Sequence, residues 1–474
     1  MNAILILVYY YCQSWLIFFV VMKALELAGW LDGLFQRHDV VIRLGYAQYY
    51  TDRLNAHVQR LSQRLERVLP LFYTVGMLFG LLAMLSAVLI LIFNLYRTIT
   101  APTAQQVLTA VVPGMNVPLW HGLHYFIAIF VSGLFHEYGH ALCASTERLP
   151  VHGMGIFLMF VYPGAFVSID DHMQTIDPKR QLKIICAGAW HNFILSTVAY
   201  SLLLLLPLLL TPLYANPAAA VVSFVPEESI LLNHVQQGDE ITAINDCPVI
   251  DTMSFRSCFV SVYTNHQPGV CTSASRIEQA KKENGFQCCE PISLNPSALQ
   301  CFLDMSLSRV CLQATQDARG DLCSIDAECE EDQRCIRPTL EADERFVRIS
   351  LERKGERLDD VLFIGPPGAL WSAFDTVNRQ PRFRLWGWSS LAYSLPSELA
   401  ILLHYFFSLS GALALLNMAP VFRMDGYHAL VAALRLFFPT LPEQVHKRLC
   451  SGIVYVCTFL VLANTITAML LIAQ

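Results

Sequence analysis

Charge is what this chain is short of. Only 15% of its 474 residues are charged and 54% are hydrophobic, whereas ordinary soluble domains carry about a quarter charged residues. An ordinary soluble fold is excluded; a polytopic membrane protein with one sizeable polar insert fits. The formal net charge is only −6, which gives no argument for nucleic acid, and no such partner is expected. No small-residue cleavage site follows the first apolar run, which is expected to stay as an anchor. No N-x-S/T sequon occurs, since Asn295-Pro296-Ser297 is spoiled by its proline. Internal repeats are also missing, which argues against a metal transporter built from duplicated halves.

Cysteine, by contrast, is plentiful and unevenly placed. Ten of the fifteen lie between Cys247 and Cys335, in the most polar part of the chain. An even, dense set of this kind reads as a disulfide framework in an oxidising compartment. A second zinc site is the competing reading, and the lack of any C-x-x-C pair in the set counts against it. The other five lie in or beside apolar runs, as small buried hydrophobes do.

Apolar runs long enough to cross a bilayer are expected at about 3–22, 71–95, 182–210 and 453–472, with further spans around residue 136 and from about Leu399. The loop from Lys23 to Pro70 is rich in arginine and is expected on the cytosolic side. Within it Leu54, Val58, Leu61, Leu65 and Val68 recur at helical spacing. That amphipathic helix suits a membrane face or the protein's own polar parts equally.

Chemistry concentrates in Val131-Ser132-Gly133-Leu134-Phe135-His136-Glu137-Tyr138-Gly139-His140-Ala141-Leu142. On a helix His136 and His140 face the same way, and such a pair holds one zinc ion while Glu137 works as a base on water. Ionisable groups in a membrane helix are costly, which favours function over packing. His121 and His124, at the start of the same helix, read as interfacial side chains. Gly153 to Val167 is apolar but broken by Gly153, Gly155 and Pro163-Gly164. Such a segment suits a re-entrant hairpin lining a cavity, with a free edge for an unwound substrate strand; a kinked short helix is the alternative. Asn192, near the start of the 182–210 span, is either interhelical glue or a donor to a reacting carbonyl. Asp425, after Asn417 and Pro420 and before Gly426, is either a helix cap or a third metal ligand; the residues leave both open.

Between about Asn216 and Arg384 the chain is polar. Gly238-Asp239 followed by Glu240–Asn245 reads as a turn and strand, with later strands at 346–351 and 361–365. The cysteine-rich block lies between these.

His136-Glu137-Tyr138-Gly139-His140, with Asn417, Pro420 and Asp425-Gly426 behind it, resembles the site-2 protease family of intramembrane zinc metalloproteases, its animal branch in particular. Val112 to Asn116, Gly153 to Val167, the turn from Ala187-Gly188 to Asn192 and the cysteine-rich insert extend the likeness over most of the chain. Ala189 and Arg423 stand where the bacterial branch has prolines. The resemblance implies one zinc per chain on His136, His140 and Asp425, with Glu137 catalytic. It implies supporting roles for Asn417, Pro420 and Gly426, and a substrate clamp around Gly153, Gly155, Pro163 and Gly164. It further implies a polytopic α-helical fold with a membrane-embedded re-entrant β-hairpin and a lumenal PDZ-like β domain carrying the insert.

The expected organisation is an N-terminal membrane part with a basic amphipathic loop (1–98), a first catalytic core part (99–215), the lumenal domain (216–385, its insert at about 247–340) and a second core part (386–474). Implied substrates are membrane-anchored transcription factors already cut once by a lumenal protease, of the sterol regulatory element-binding type and the ER-stress bZIP type. The place implied is the Golgi/ER system, with the active site in the bilayer towards the cytosol.

Overall fold

The computed structural model describes residues 3–27, 40–100, 114, 116–160, 162–264, 267–284, 299–313, 320–341, 343–383 and 389–472. Cys288, Cys289 and most of 112–116 lie outside them. The chain divides into two units, Met1–Leu205 with Ala400–Gln474, and Leu206–Leu399.

The first unit begins with helix α1 (Ala3–Leu27), strands β1 (Val40–Arg43) and β2 (Tyr46–Thr51), and helix α2 (Asn55–Arg64). Helices α3 (Leu69–Thr100) and α4 (Gly122–Thr146) follow. Strands β3 (Val151–Met159) and β4 (Tyr162–Ile169) then lead into α5 (Pro178–Leu210). Among the described residues five helical stretches are long and apolar enough to cross a membrane: Leu69–Thr100, Leu119–Thr146, Pro178–Leu210, Leu391–Leu416 and Glu443–Ala468. The protein is a multi-pass membrane protein.

The 153–167 segment is a hairpin and not a kinked helix, with Gly155 opposite Phe166 and Phe157 opposite Gly164. Two strands from the basic loop, which the sequence reading did not anticipate, extend it into a sheet of order β1-β2-β3-β4. The side of β3 away from the hairpin is therefore taken by β2, and β4 is the terminal strand, packed along α4. The hairpin glycines have a steric cause. A Cβ at Gly153 would meet the Tyr50 ring, one at Gly155 the Phe166 ring, and one at Gly164 the Phe157 ring. Aromatic rings laid over glycine hold the register of a sheet.

The amphipathic helix is shorter than its apolar spacing suggests. It stops at Arg64, leaving Leu54, Leu65 and Val68 outside it and exposed. Its buried residue Val58 faces α4 and β3, and Asn55 Nδ2 donates to the main-chain oxygens of Val151 and His152, both at 2.9 Å. Protein packing covers this face.

The second unit is mostly strand. It contains β5 (Tyr214–Ala215), β6 (Ala220–Phe224), β7 (Glu240–Ile244), β8 (Cys247–Pro248), helix α6 (Thr252–Thr264), β9 (Gly269–Ser273) and helix α7 (Ala274–Asn284). Then come β10 (Leu299–Leu303), β11 (Arg309–Gln313), β12 (Leu322–Cys323), β13 (Gln333–Pro338), β14 (Arg345–Arg353), β15 (Glu356–Arg357), β16 (Val361–Gly365), helix α8 (Pro367–Trp371), β17 (Asp375–Val377) and β18 (Gln380–Pro381). A sheet of order β15-β14-β7-β6-β17, with β16 on β14 and β8 on β7, packs with α6 around Val222, Ile241, Ile349, Leu351 and Phe374. Gly238 turns the chain at φ +93°, and the next residue, Asp239, is buried against Arg353 in a two-pronged ion pair of 2.6 and 2.8 Å. The insert forms a second sheet, β11-β10-β13-β9-β12, with its own core around Phe302, Leu312 and Ile336. Disulfides join Cys247 to Cys258, Cys271 to Cys329 and Cys323 to Cys335, and Cys311 is also disulfide-bonded. The sulfurs of Cys271, Cys323 and Cys329 lie close together, but bonded sulfurs are not thiolates, so the zinc alternative falls for them.

The chain returns to the first unit along α9 (Ser389–Leu416), then forms α10 (Asp425–Phe437) and α11 (Glu443–Ile472). Asn94 Nδ2 donates to Asn464 Oδ1 at 2.9 Å, tying α3 to α11 where both are buried.

Candidate metal centre

Histidines four residues apart share one face of α4, and both are buried. Their Nε2 atoms lie 3.1 Å apart. Asp425 Oδ2 completes the group, 2.9 Å from His136 Nε2 and 3.4 Å from His140 Nε2. Asp425 is the first residue of α10 and its carboxylate caps nothing; Met424 occupies the cap position without a side-chain bond. Of the two readings the sequence left open for Asp425, only the one that joins it to the histidines agrees with these contacts.

The donor set fits a zinc ion. Bonds of about 2.0–2.1 Å in a tetrahedron place neighbouring ligand atoms about 3.3–3.4 Å apart, close to the three separations found here. The proton positions agree. His140 Nδ1 lies 2.8 Å from the carbonyl oxygen of Ile184, which can only accept, so Nδ1 carries the proton and Nε2 offers its lone pair. Room is also left for an ion. Gly188 of α5 sits beneath both imidazoles, and a Cβ there would lie 2.4 Å from His140 Nε2 and 2.6 Å from His136 Nε2.

Asn192 lies in the middle of α5 rather than near its start, and the 187–192 stretch read as a turn is helical. Its side-chain amide is fully buried, 3.2 Å from His136 Nδ1. If His136 Nε2 turns to a metal, Nδ1 carries a proton and needs an acceptor. In the structure the amide nitrogen faces His136 Nδ1 and the amide oxygen accepts from Ser410 Oγ at 3.3 Å; turning the amide over would put its oxygen on Nδ1 as the acceptor and its nitrogen on Ser410 Oγ. Ser410 in turn donates to the Asn192 main-chain oxygen at 3.0 Å. These contacts place Asn192 behind a histidine.

Glu137 stands one residue on from His136, with the Val167 backbone of β4 near its carboxylate. It lines two cavities. One, of about 570 Å³, runs past His140, Asp170, Asp171, Gln181, His428 and Arg435. The other, of about 210 Å³, lies between α4, the 162–165 part of β4 and the 417–425 loop, with Asn192 and Asp425 in its wall. Pro163 and Gly164 line this second cavity; Gly153 and Gly155 do not.

The loop that carries Asp425 is fixed by its backbone. Gly426 N–H donates to the Asn417 carbonyl at 2.7 Å, and a Cβ on Gly426 would meet the Met418 and Ala419 carbonyl oxygens at 2.3 and 2.1 Å. Pro420 is buried at the bend. Behind the histidines, Tyr73 of α3 stacks on His191, with its hydroxyl 3.2 Å from His191 Nε2. Sequence reasoning passed over Gly188, Tyr73 and the Ile184 carbonyl. The small-residue run Cys186-Ala187-Gly188-Ala189 was the available signal, because small residues let membrane helices approach closely.

Two imidazoles, a carboxylate and a neighbouring glutamate, set among membrane-crossing helices, are the equipment of a metalloprotease that works on membrane-embedded substrates. The chain belongs to Peptidase family M50, whose profile matches residues 124–360, and it is an intramembrane metalloprotease. It is also similar to a membrane-bound transcription factor site-2 protease homolog of Arabidopsis thaliana, with 25% identity over 464 residues that cover 85% of this chain and 88% of that protein. Asp425 lies beyond the family match, so its assignment depends on geometry.

Proposed function

We propose that this chain is a zinc metalloendopeptidase of regulated intramembrane proteolysis. It takes membrane-anchored transcription factors already cut on the lumenal side and releases their cytosolic part. The name of the Arabidopsis relative supports the substrate class. The resemblance to the site-2 proteases supports the sterol regulatory element-binding and ER-stress bZIP types, a Golgi/ER location and links to lipid metabolism and the unfolded protein response. Within this reading the β-hairpin is membrane-embedded, and the second unit is the lumenal, PDZ-like part that screens substrates. The disulfides support an oxidising side for it. The observation that carries the reading is the meeting of His136, His140 and Asp425 beside Glu137.

In this mechanism His136, His140 and Asp425 would hold the ion. Zinc held there supplies Lewis acidity toward a peptide carbonyl and brings the pKa of a water down to about 7. Glu137 takes the proton of the attacking water on its carboxylate and later returns it to the leaving amide nitrogen. Asn192 and the Ile184 carbonyl hold the two imidazoles in the tautomer that leaves Nε2 free. A helical substrate hides its carbonyls in its own hydrogen bonds, so cleavage needs local unwinding. β4, the terminal strand beside Glu137, is where the unwound stretch lies.

The test uses purified full-length protein and a membrane-spanning reporter. Glu137→Gln is expected to keep zinc and lose cleavage by about 10²- to 10⁴-fold. Asp425→Ala is expected to lose both. Full zinc in Asp425→Ala, or cleavage by Glu137→Gln at the wild-type rate, refutes the assignment.

A further inference from the structure

We propose that Arg423 is a substrate-binding residue of this site, donating its guanidinium N–H groups to main-chain carbonyl oxygens that a membrane-spanning peptide exposes when it unwinds. The proposal rests on the intramembrane protease reading above and adds to it a residue and the chemical group it recognises.

Arg423 lies two residues before Asp425, whose carboxylate reaches His136 well inside the α4 span. A cation at that depth is costly unless it faces water or a partner. Among the described residues Arg423 has no hydrogen-bond or ion-pair partner, whereas Arg180, Arg348 and Arg353 each have a carboxylate. It is exposed, and it lines the 210 Å³ cavity that Glu137, Asp425 and the β4 residues Pro163 to Ala165 also line. Its backbone is left-handed at φ +68°. That conformation strains an ordinary side chain and tends to persist where function uses it.

Among the described residues Arg423 is the one Lys or Arg side chain that lines this cavity; the neutral donors Tyr162, Asn192 and Asn417 line it too, and Asn192 is engaged with His136. Ile129, Phe157, Leu413 and Met424 supply apolar wall, and Glu137 and Asp425 supply acceptors. A peptide unwound from a helix brings free carbonyl oxygens. A guanidinium has five N–H donors and no acceptor, which matches that need across several carbonyls. Because these contacts form in the bound state and persist through the reaction, losing them should weaken binding more than turnover.

The probe is a synthetic membrane-spanning peptide with no Asp or Glu near its cleavage site, presented in vesicles to the full-length protein. Arg423→Gly suits the left-handed backbone and removes only the side chain, so folding is protected. It is expected to keep the wild-type zinc content and kcat while KM rises about ten- to a hundred-fold, the worth of one to two charge-assisted hydrogen bonds. Arg423→Lys, which keeps the charge but not the planar fork, is expected to fall between. An unchanged KM in Arg423→Gly overturns the proposal. So does loss of zinc or of kcat with KM unchanged, since Arg423 would then only support the Asp425 loop. A KM effect seen only with acid-bearing peptides also overturns it, by making a substrate carboxylate the acceptor. Zinc-independent cleavage or none at all by the wild type would instead refute the protease reading, and this proposal with it.

Discussion

Replacing Gly188 by alanine is the sharpest test of how the metal centre is built. An ordinary Cβ contact begins at 3.4 Å, and here the new methyl would stand 2.4 Å from His140 Nε2 and 2.6 Å from His136 Nε2. The rings would have to retreat by about 1.0 and about 0.8 Å, by subtraction. Neither can do so freely, because His140 is tied to the Ile184 carbonyl and His136 to Asn192. Metal–ligand bonds tolerate about 0.2 Å, so the displacement is several times what zinc accepts. The gain in helix propensity from glycine to alanine, about 1 kcal/mol at most, is offset by an overpacking cost of about 1–3 kcal/mol. Fold stability should therefore change little while zinc affinity falls by about a hundred-fold or more, beyond the 10- to 100-fold typical of losing an outer partner. Competition against a fluorescent zinc chelator measures the affinity, and reporter cleavage should fall with it. Gly452→Ala, where the added Cβ meets nothing within 4 Å, is the control and should bind zinc as the wild type does. Wild-type zinc affinity in Gly188→Ala would refute the reasoning.

Asn192→Asp should keep zinc affinity within a few-fold, because a carboxylate still accepts from His136 Nδ1, but at a cost in fold stability for the added buried charge, while Asn192→Leu should lose about 10- to 100-fold in affinity. If Asn192 instead donates to the reacting carbonyl, both variants would bind zinc normally and both would lose turnover. Arg353→Ala leaves Asp239 buried without its partner and should destabilise the second unit by about 3 kcal/mol, read as faster limited proteolysis within residues 206–399.

Much of this protein is legible in its sequence where the signal is local. The five spans found are readable because a bilayer demands long apolar runs, and the 153–167 hairpin because glycine and proline punctuate it. His136 and His140 are readable because helical spacing alone brings them together. Asp425 was undecidable between cap and ligand, since that depends on a segment nearly three hundred residues away in sequence. Strands β1 and β2 escaped for the same reason. Tyr46–Thr51 becomes a strand by pairing with Met154–Met159, and that register is set by rings seated on distant glycines. Asn192 could be suspected as functional, but its partner was out of reach of any pattern.

The layer behind the ligands shows how a membrane constrains a metal site. Metal-bound histidines in general are often oriented by carboxylates. Here His140 is oriented by a main-chain carbonyl, His136 by an amide, and that amide by a serine hydroxyl. Every one of these groups is neutral. In the proposed site the acidic side chains are Glu137 and Asp425, whose negative charges a divalent cation would balance, with Arg423 the remaining charge on the cavity wall. An orienting carboxylate would add a charge with nothing to neutralise it at a depth where each one is costly. Neutral orientation would therefore let the three proposed ligands and the proposed base share one place among apolar helices.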